Sequence, residues 1–170
     1  MTNEPWYKDG VRFKCTGCGK CCTGPKGYIW ISRDEIEPLA KHLKMAPSAF
    51  IKKYTTQPTD EDLASYPNKE ALKTKLLLKE VPSKSSPRDY DCVFLSEGAY
   101  CSIYNFRPKQ CRTYPFWPDI MRSKRAWANE SRFCEGIEHV DAPVVAFASI
   151  KKNLNEQIDY ENTNDPSVPL

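Results

Sequence analysis

The segment that follows Ser32 has apolar residues at helical spacing. They recur every three or four positions, which predicts a helix over residues 33–44 with one face in the core. The apolar positions of this face are Ile36, Leu39, Ala40 and Leu43. Ser32 and Glu35 have the spacing of a capping box, in which each side chain accepts a hydrogen bond from the other residue's backbone N–H. The pattern therefore predicts both the start of this helix and the face that it buries.

Proline positions predict two further helices. Pro47 suits the first turn of a short helix that continues through Tyr54, because a helix needs no backbone N–H donor there. Pro143 is predicted to open a C-terminal helix whose apolar positions extend to Ile158. From Tyr160 onward the chain is polar and contains proline, which is typical of a frayed tail.

Short apolar runs predict strands between these helices. Residues 28–31 read YIWI and are interpreted as a buried strand, and residues 72–80 are favoured as a strand because a proline soon follows the run. The runs at residues 92–95 and 100–104 flank a glycine-containing turn and predict a β-hairpin. Together these elements predict a small α+β fold with irregular metal-binding loops, short strands and about three helices.

The length of 170 residues is that of one domain with a hydrophobic core of its own. We expect a cysteine-cluster metal-binding domain over residues 1–159 and a flexible tail over residues 160–170. The net charge of +3 is too small to indicate nucleic acid or an anionic membrane as a partner. No apolar run approaches the roughly 20 residues of a membrane helix. The first residues, MTNEPWYKDG, lack the pattern of a secretion signal, so a cytoplasmic location is expected.

The most informative feature is a cluster of cysteines in the sequence FKCTGCGKCC. Its members are Cys15, Cys18, Cys21 and Cys22. The spacing lets a short loop surround one metal centre, and Gly17 and Gly19 permit backbone conformations that other residues rarely adopt. The spacing also matches the C-x2-C-x2-C segment of ferredoxins. The cluster therefore indicates a metal site, without distinguishing zinc from an iron–sulfur cluster.

Four more cysteines follow far along the chain. They are Cys92, Cys101, Cys111 and Cys134. Eight thiols are enough for two four-thiolate sites. Because successive side chains of an extended loop face opposite ways, we expect one member of the Cys21–Cys22 pair to join the upstream cysteines and the other to reach the downstream group.

Disulfide bonds and inert buried thiols are the alternatives to metal binding. Four disulfides would suit a secreted protein, but no secretion signal is visible and the vicinal pair would strain a disulfide ring. Inert thiols could account for Cys101 or Cys134 but not for the cluster. The chain has only His42 and His139, and neither lies in a signature of Cys–His catalysis. Whether the protein is an enzyme therefore stays open.

Several segments together resemble a known family. The cysteine-rich start, FIKKY, CVFL, YCSIYNFRPKQCRTYPF and FCEGI are similar to the bacterial cysteine-cluster proteins, whose CxxCxxCC domain is described as zinc- or iron-chelating and which are often called iron–sulfur cluster proteins. The resemblance covers roughly residues 11–137. It implies that all eight cysteines are metal ligands, and it leaves the biochemical task open.

Two arginines flank one of the downstream cysteines. Arg107 and Arg112 are predicted to bind the cofactor by offsetting the negative charge of the thiolates around Cys111, or else to form ordinary surface salt bridges. Two classes of function follow. The first is an iron–sulfur protein that passes an electron or assists a partner enzyme, and the second is a zinc-stabilised structural or interaction module. An unidentified protein partner is compatible with both.

Overall fold

A computed structural model describes residues 4–165 of the chain, and helices and short antiparallel strands alternate along it. The helices are α1 (Arg33–His42), α2 (Pro47–Tyr54), α3 (Asp60–Leu63), α4 (Lys69–Leu72), α5 (Lys109–Thr113), α6 (Pro118–Met121), α7 (Lys124–Glu130) and α8 (Phe147–Asn162). The strands are β1 (Val11–Arg12), β2 (Thr23–Gly24), β3 (Trp30–Ile31), β4 (Thr55–Thr56), β5 (Leu76–Leu78), β6 (Glu80–Pro82), β7 (Tyr90–Cys92) and β8 (Val144–Val145). The α+β fold class is confirmed, but the expected number of about three helices is too low.

The helix expected after Ser32 and the helix expected at Pro47 are both present. Ser32 and Glu35 form the predicted capping box at the start of α1, and Ile36 and Leu39 on its apolar face are fully buried. Pro47 occupies the first turn of α2, whose Phe50 is fully buried. Local sequence signals were sufficient here because the caps and the apolar faces lie within single turns of each helix.

The strands form three small antiparallel sheets within residues 4–165. Their strand orders are β1–β8, β2–β7–β6 and β3–β5–β4. In the second sheet Thr23 pairs with Asp91, and this register brings Cys22 close to Cys92. An isolated bridge between Phe13 and Ile137 continues the first sheet toward the cysteine loop. The sheets therefore bring upstream and downstream cysteines together.

Residues 72–80 do not form one strand. Leu72 ends α4, β5 occupies only residues 76–78, and Glu80 begins the next strand. The hairpin expected over residues 92–104 is reduced to a single bridge between Leu95 and Cys101, because Cys92 pairs instead with Glu80. Both differences arise from pairings with distant strands, which the local pattern does not contain.

The C-terminal region also differs from its prediction. Val144 and Val145 form a strand that pairs with β1, so the helix begins at Phe147 and not at Pro143. It continues to Asn162, and Tyr160 is buried. Asp165 is also buried, whereas residues 162–164 are exposed. The predicted tail therefore begins within the last turn of α8, and its flexibility stays a prediction. Residues 166–170 of the predicted tail lie outside the described part of the chain.

Two of the hydrophobic clusters border the cysteines. The first is built from α1, α2 and β5 and includes Cys92, with Cys22 and Cys101 packed against it. The second includes Trp127 and Ile150, with Cys134 packed against it. The cysteines thus lie where two parts of the core meet. No helix within residues 4–165 is long and apolar enough to span a membrane.

Candidate metal centre

The cysteine loop turns sharply at two glycines. Gly17 and Gly19 have φ angles of 74° and 71°, in the left-handed region that glycine tolerates best. A Cβ atom at Gly19 would overlap the carbonyl oxygen of Ala99, so the loop is packed against the segment before Cys101. The Gly19 turn leads directly into a 3-10 turn at Lys20–Cys22.

The vicinal cysteines do not face opposite ways. The Sγ atoms of Cys21 and Cys22 are 4.0 Å apart, because the 3-10 turn curls the backbone where an extended loop was expected. Cys22 also contacts Cys101 of the downstream group. The expectation of opposed side chains is therefore wrong, although one of the pair does reach the downstream cysteines.

The start of the cysteine loop is attached to the segment that carries Cys134. The backbone N–H of Lys14 donates to the carbonyl of Gly136 at 3.1 Å. The carboxylate of Glu135 accepts from Thr16 Oγ1 and from Lys20 Nζ, both at 2.9 Å. Glu135 has no local sequence signal for this role, because its partner Lys20 lies 115 residues away along the chain. This attachment places the loop against the Cys134 segment.

All eight cysteines line one or both of two adjoining cavities. The larger cavity has a volume of about 410 Å³, and its cysteines are Cys15, Cys21, Cys22, Cys92, Cys101 and Cys111. The smaller cavity has a volume of about 100 Å³, and its cysteines are Cys15, Cys18, Cys21, Cys111 and Cys134. Cys15, Cys21 and Cys111 line both. The fold thus collects thiols that are spread over 120 residues of sequence.

The thiols surround these cavities without converging on a single point. Within residues 4–165, no group of three or more Cys, His, Asp or Glu side chains is close enough to hold one metal ion. The eight cysteines are all free thiols, so none is committed to a disulfide. His42 lies instead against Phe106, with ring centroids 4.1 Å apart.

Arg107 lies beside the cysteines, and Arg112 contacts the backbone of Arg107. Arg107 lines both cavities, and its guanidinium carbon is 3.7 Å from the centre of the Tyr104 ring. Arg112 lines only the smaller cavity, and its Nε donates to the carbonyl of Arg107 at 3.1 Å. No carboxylate forms a salt bridge with either arginine in the described part of the chain. The guanidinium of Arg107 also donates through Nε to the carbonyl of Tyr104 at 2.8 Å, and its charge lowers the pKa of nearby thiols.

Thiol pKa values differ strongly within the larger cavity. Hydrogen bonding with the Cys22 sulfur is the largest cause that lowers the pKa of Cys101 to about 6 and that of Cys21 to about 7, and the charge of Arg107 acts in the same direction. The same contacts raise the pKa of Cys22. Burial raises the pKa of Cys92 to about 11 and raises that of Cys111 well above its ordinary value. Cys21 and Cys101 are thus the most readily ionised of these ligand candidates.

Aromatic residues near Cys111 divide between core and cavity. Phe116 is buried, whereas Tyr104 and Phe106 are exposed. Tyr114 lines both cavities, and its hydroxyl donates to Glu130 at 2.7 Å. Trp117 lines the larger cavity. Part of the aromatic cluster therefore lines the cavities that hold the thiols, of which Cys15 and Cys21 are exposed to solvent.

Comparison with known proteins places this chain in a family. The chain is 25% identical over 142 residues to the uncharacterized protein MJ0661 of Methanocaldococcus jannaschii; the match covers 81% of this chain and 65% of that protein's length. No solved structure matches the chain. A family profile matches residues 14–135, which include all eight cysteines. The chain therefore belongs to the CxxCxxCC family, whose domain carries the description "putative zinc- or iron-chelating".

Proposed function

We propose that the protein binds metal through its eight cysteines and is an iron–sulfur protein with a redox role or an accessory role to a partner enzyme. The observation that carries this proposal is the position of the thiols. Eight cysteines from five separate segments line two adjoining cavities, and three of the eight line both. Inert buried thiols have no reason to gather in this way.

The donor set fits an iron–sulfur cluster. Soft thiolate ligands favour iron–sulfur clusters, zinc and copper(I) over hard cations. A polynuclear cluster takes its thiolates at several iron atoms, so its ligands are spread around a volume and do not meet at one point. The wide arrangement of thiols around a cavity of about 410 Å³ supports such a cluster. When bound, an iron–sulfur cluster supplies one-electron chemistry.

The residues around the thiols suit a charged centre. Arg107 would offset part of the thiolate charge, because it faces Cys21, Cys101 and Cys111. The walls at Tyr114 and Trp117 would limit access of water, which influences the potential of a cluster. On this proposal Arg107 acts directly on the thiolates and Arg112 positions it.

Zinc is the second candidate, and one distance favours it. Tetrahedral zinc with bonds of about 2.3 Å to sulfur places two thiolates about 3.8 Å apart. The separation of 4.0 Å between the sulfur atoms of Cys21 and Cys22 is close to that value. In this case the metal would stabilise an interaction module without redox chemistry.

Metal analysis of protein purified without oxygen distinguishes the two candidates. An iron–sulfur protein should contain iron and acid-labile sulfide in comparable amounts. It should also absorb broadly at about 400 nm, where zinc thiolates do not absorb. Zinc without sulfide would support the interaction module. A protein that retains neither zinc nor iron, even after anaerobic reconstitution with each, would overturn the proposed function.

A further inference from the structure

Glu35 connects three helices through its carboxylate. Two of its hydrogen bonds belong to the capping box of α1: Ser32 N and Ser32 Oγ donate to Oε2 at 3.1 and 2.8 Å. The other two come from far along the chain. Lys109 N donates to Oε1 at 2.5 Å, and the hydroxyl of Tyr160 donates to Oε2 at 2.8 Å. A residue that only capped α1 would accept only the two hydrogen bonds from Ser32.

The hydrogen bond from Lys109 is important because α5 carries Cys111. Lys109 is the first residue of this five-residue helix, and Cys111 lies at its centre. The first backbone N–H groups of a helix have no partner within the helix, so Glu35 satisfies one that α5 cannot satisfy itself. A charged acceptor makes this a strong hydrogen bond. Glu35 therefore anchors the end of α5 that precedes Cys111.

Other contacts fix the rest of α5 but do not replace this anchor. Gln110 accepts from Trp30 N at 2.8 Å and donates to Tyr28 O at 3.1 Å. On the other side of Cys111, Thr113 Oγ1 donates to Gln157 Oε1 of α8 at 2.7 Å. The helix is thus attached to α1, β3 and α8 within five residues, and Cys111 has little freedom to move.

We propose that Glu35 is a positioning residue for Cys111 that holds this thiol at the boundary of the two cavities. Tyr160 orients the Glu35 carboxylate, so α8, which lies outside the family segment of residues 14–135, takes part in arranging the site. The inference rests on the proposed function as far as metal is concerned. It also has a consequence for the metal-free protein, in which the Cys111 thiol stays shielded.

The backbone of Lys109 offers a matched pair of variants. Lys109→Pro removes the N–H donor at a first helical position, where proline is well tolerated, and the preceding Pro108 already has an extended ψ of 153°. Lys109→Ala removes the same side chain and keeps the donor. We expect Lys109→Pro to speed chelator removal of metal about tenfold relative to Lys109→Ala, the usual effect of losing an outer partner of a ligand.

A second pair of variants changes the acceptor of this hydrogen bond, which is the Glu35 carboxylate. Glu35→Gln cannot accept on both sides. The three donors from Ser32 and Tyr160 favour the amide oxygen on their side, which turns the amide nitrogen toward Lys109 N. Ser32→Ala weakens the same cap and leaves the Lys109 bond intact. We expect faster metal removal in Glu35→Gln than in Ser32→Ala, even when the two variants unfold at similar temperatures.

Alkylation of the metal-free protein separates this inference from the proposed function. The rate of Cys111 modification by iodoacetamide, measured by mass spectrometry with Cys134 as internal reference, should rise in Lys109→Pro and Glu35→Gln but not in their controls. Equal Cys111 rates in each variant and its control would overturn the inference. Failure of the wild-type protein to bind metal would overturn the proposed function, and the alkylation comparison would still decide the role of Glu35.

Discussion

At the scale of single residues, Cys22 controls the protonation of its neighbours. Its thiol lies 4.0 Å from the sulfur of Cys21 and also contacts Cys101. Because a hydrogen bond donated to a thiolate stabilises it, the one proton of Cys22 can stabilise the thiolate of Cys21 or that of Cys101. The three cysteines are therefore linked, and the lowered pKa values of Cys21 and Cys101 favour a thiolate among them near neutral pH.

Replacing Cys22 by alanine should make both neighbours less reactive in metal-free protein. The pKa values of about 7 for Cys21 and about 6 for Cys101 should rise toward the ordinary thiol value of about 8.5 once the donor is lost. Alkylation of both residues at pH 7 should then slow by roughly tenfold, because the thiolate is the reacting form. The measurement is the alkylation rate as a function of pH, resolved by residue.

Cys92→Ala is the matched control for this variant. It removes another thiol of the larger cavity but leaves the Cys22 donor in place, so the low pKa values should persist. If the pH midpoints of Cys21 and Cys101 were the same in Cys22→Ala as in the wild-type protein, Cys22 would have no such role.

At the scale of elements, a close backbone contact at Gly19 holds the middle of the cysteine loop, in addition to its attachments to Glu135 and Gly136. Gly19 lies against the carbonyl of Ala99 with no room for a side chain, and Gly17 has the same left-handed backbone in open space. The two glycines therefore differ in packing and not in conformation. This difference separates the effect of docking from the effect of backbone strain.

Gly19→Ala should destabilise the protein more than Gly17→Ala. Both variants place alanine in a left-handed conformation, at a cost of about 1–2 kcal/mol. Only Gly19→Ala also pushes the loop away from Ala99, and we expect a total loss of about 3 kcal/mol or more in the free energy of unfolding. Chemical denaturation of the two variants measures the difference. Equal losses would mean that the loop is not held by this contact.

Elements with local signals were predictable and elements with distant partners were not. The start of α1 follows from Ser32 and Glu35, three residues apart. By contrast, Val145 reads as part of a helix until its strand partner Val11 is known. Tyr160 reads as the start of a tail because its partner Glu35 is 125 residues away. The eight cysteines were found by spacing and resemblance, whereas Glu135 has a local sequence no different from a surface loop.

At the scale of the whole molecule, the hydrophobic core includes residues that are separate from the cysteine site. Each of the two hydrophobic clusters beside the cysteines contains α-helical or strand residues that touch no cavity, such as Ile36 and Ile150. We expect these clusters to fold without metal. Apart from Cys111, which lies in α5, the thiols are carried by loops and by strands of two or three residues.

Removing bound metal should therefore lower the Tm and broaden the unfolding transition. Metal bound by cysteines between positions 15 and 134 links segments that are otherwise held by short sheets, and it stabilises the folded state by mass action. Calorimetry with and without a strong chelator tests this, and a variant with all eight cysteines replaced by serine is the control for effects of the chelator itself. An unchanged Tm would show that the cysteines do not link the fold through metal.

Three cysteines line both cavities, so metal bound in one cavity would affect metal binding in the other. If both are filled, a centre in one cavity fixes Cys15, Cys21 and Cys111 and changes the affinity of the other. Thermodynamic linkage makes this influence reciprocal, so each centre favours or opposes its neighbour by the same free energy. When the shared thiols are ordered in a common arrangement, the second centre forms at a lower entropic cost. In that case filling would be cooperative, and half-loaded molecules would be scarce during assembly.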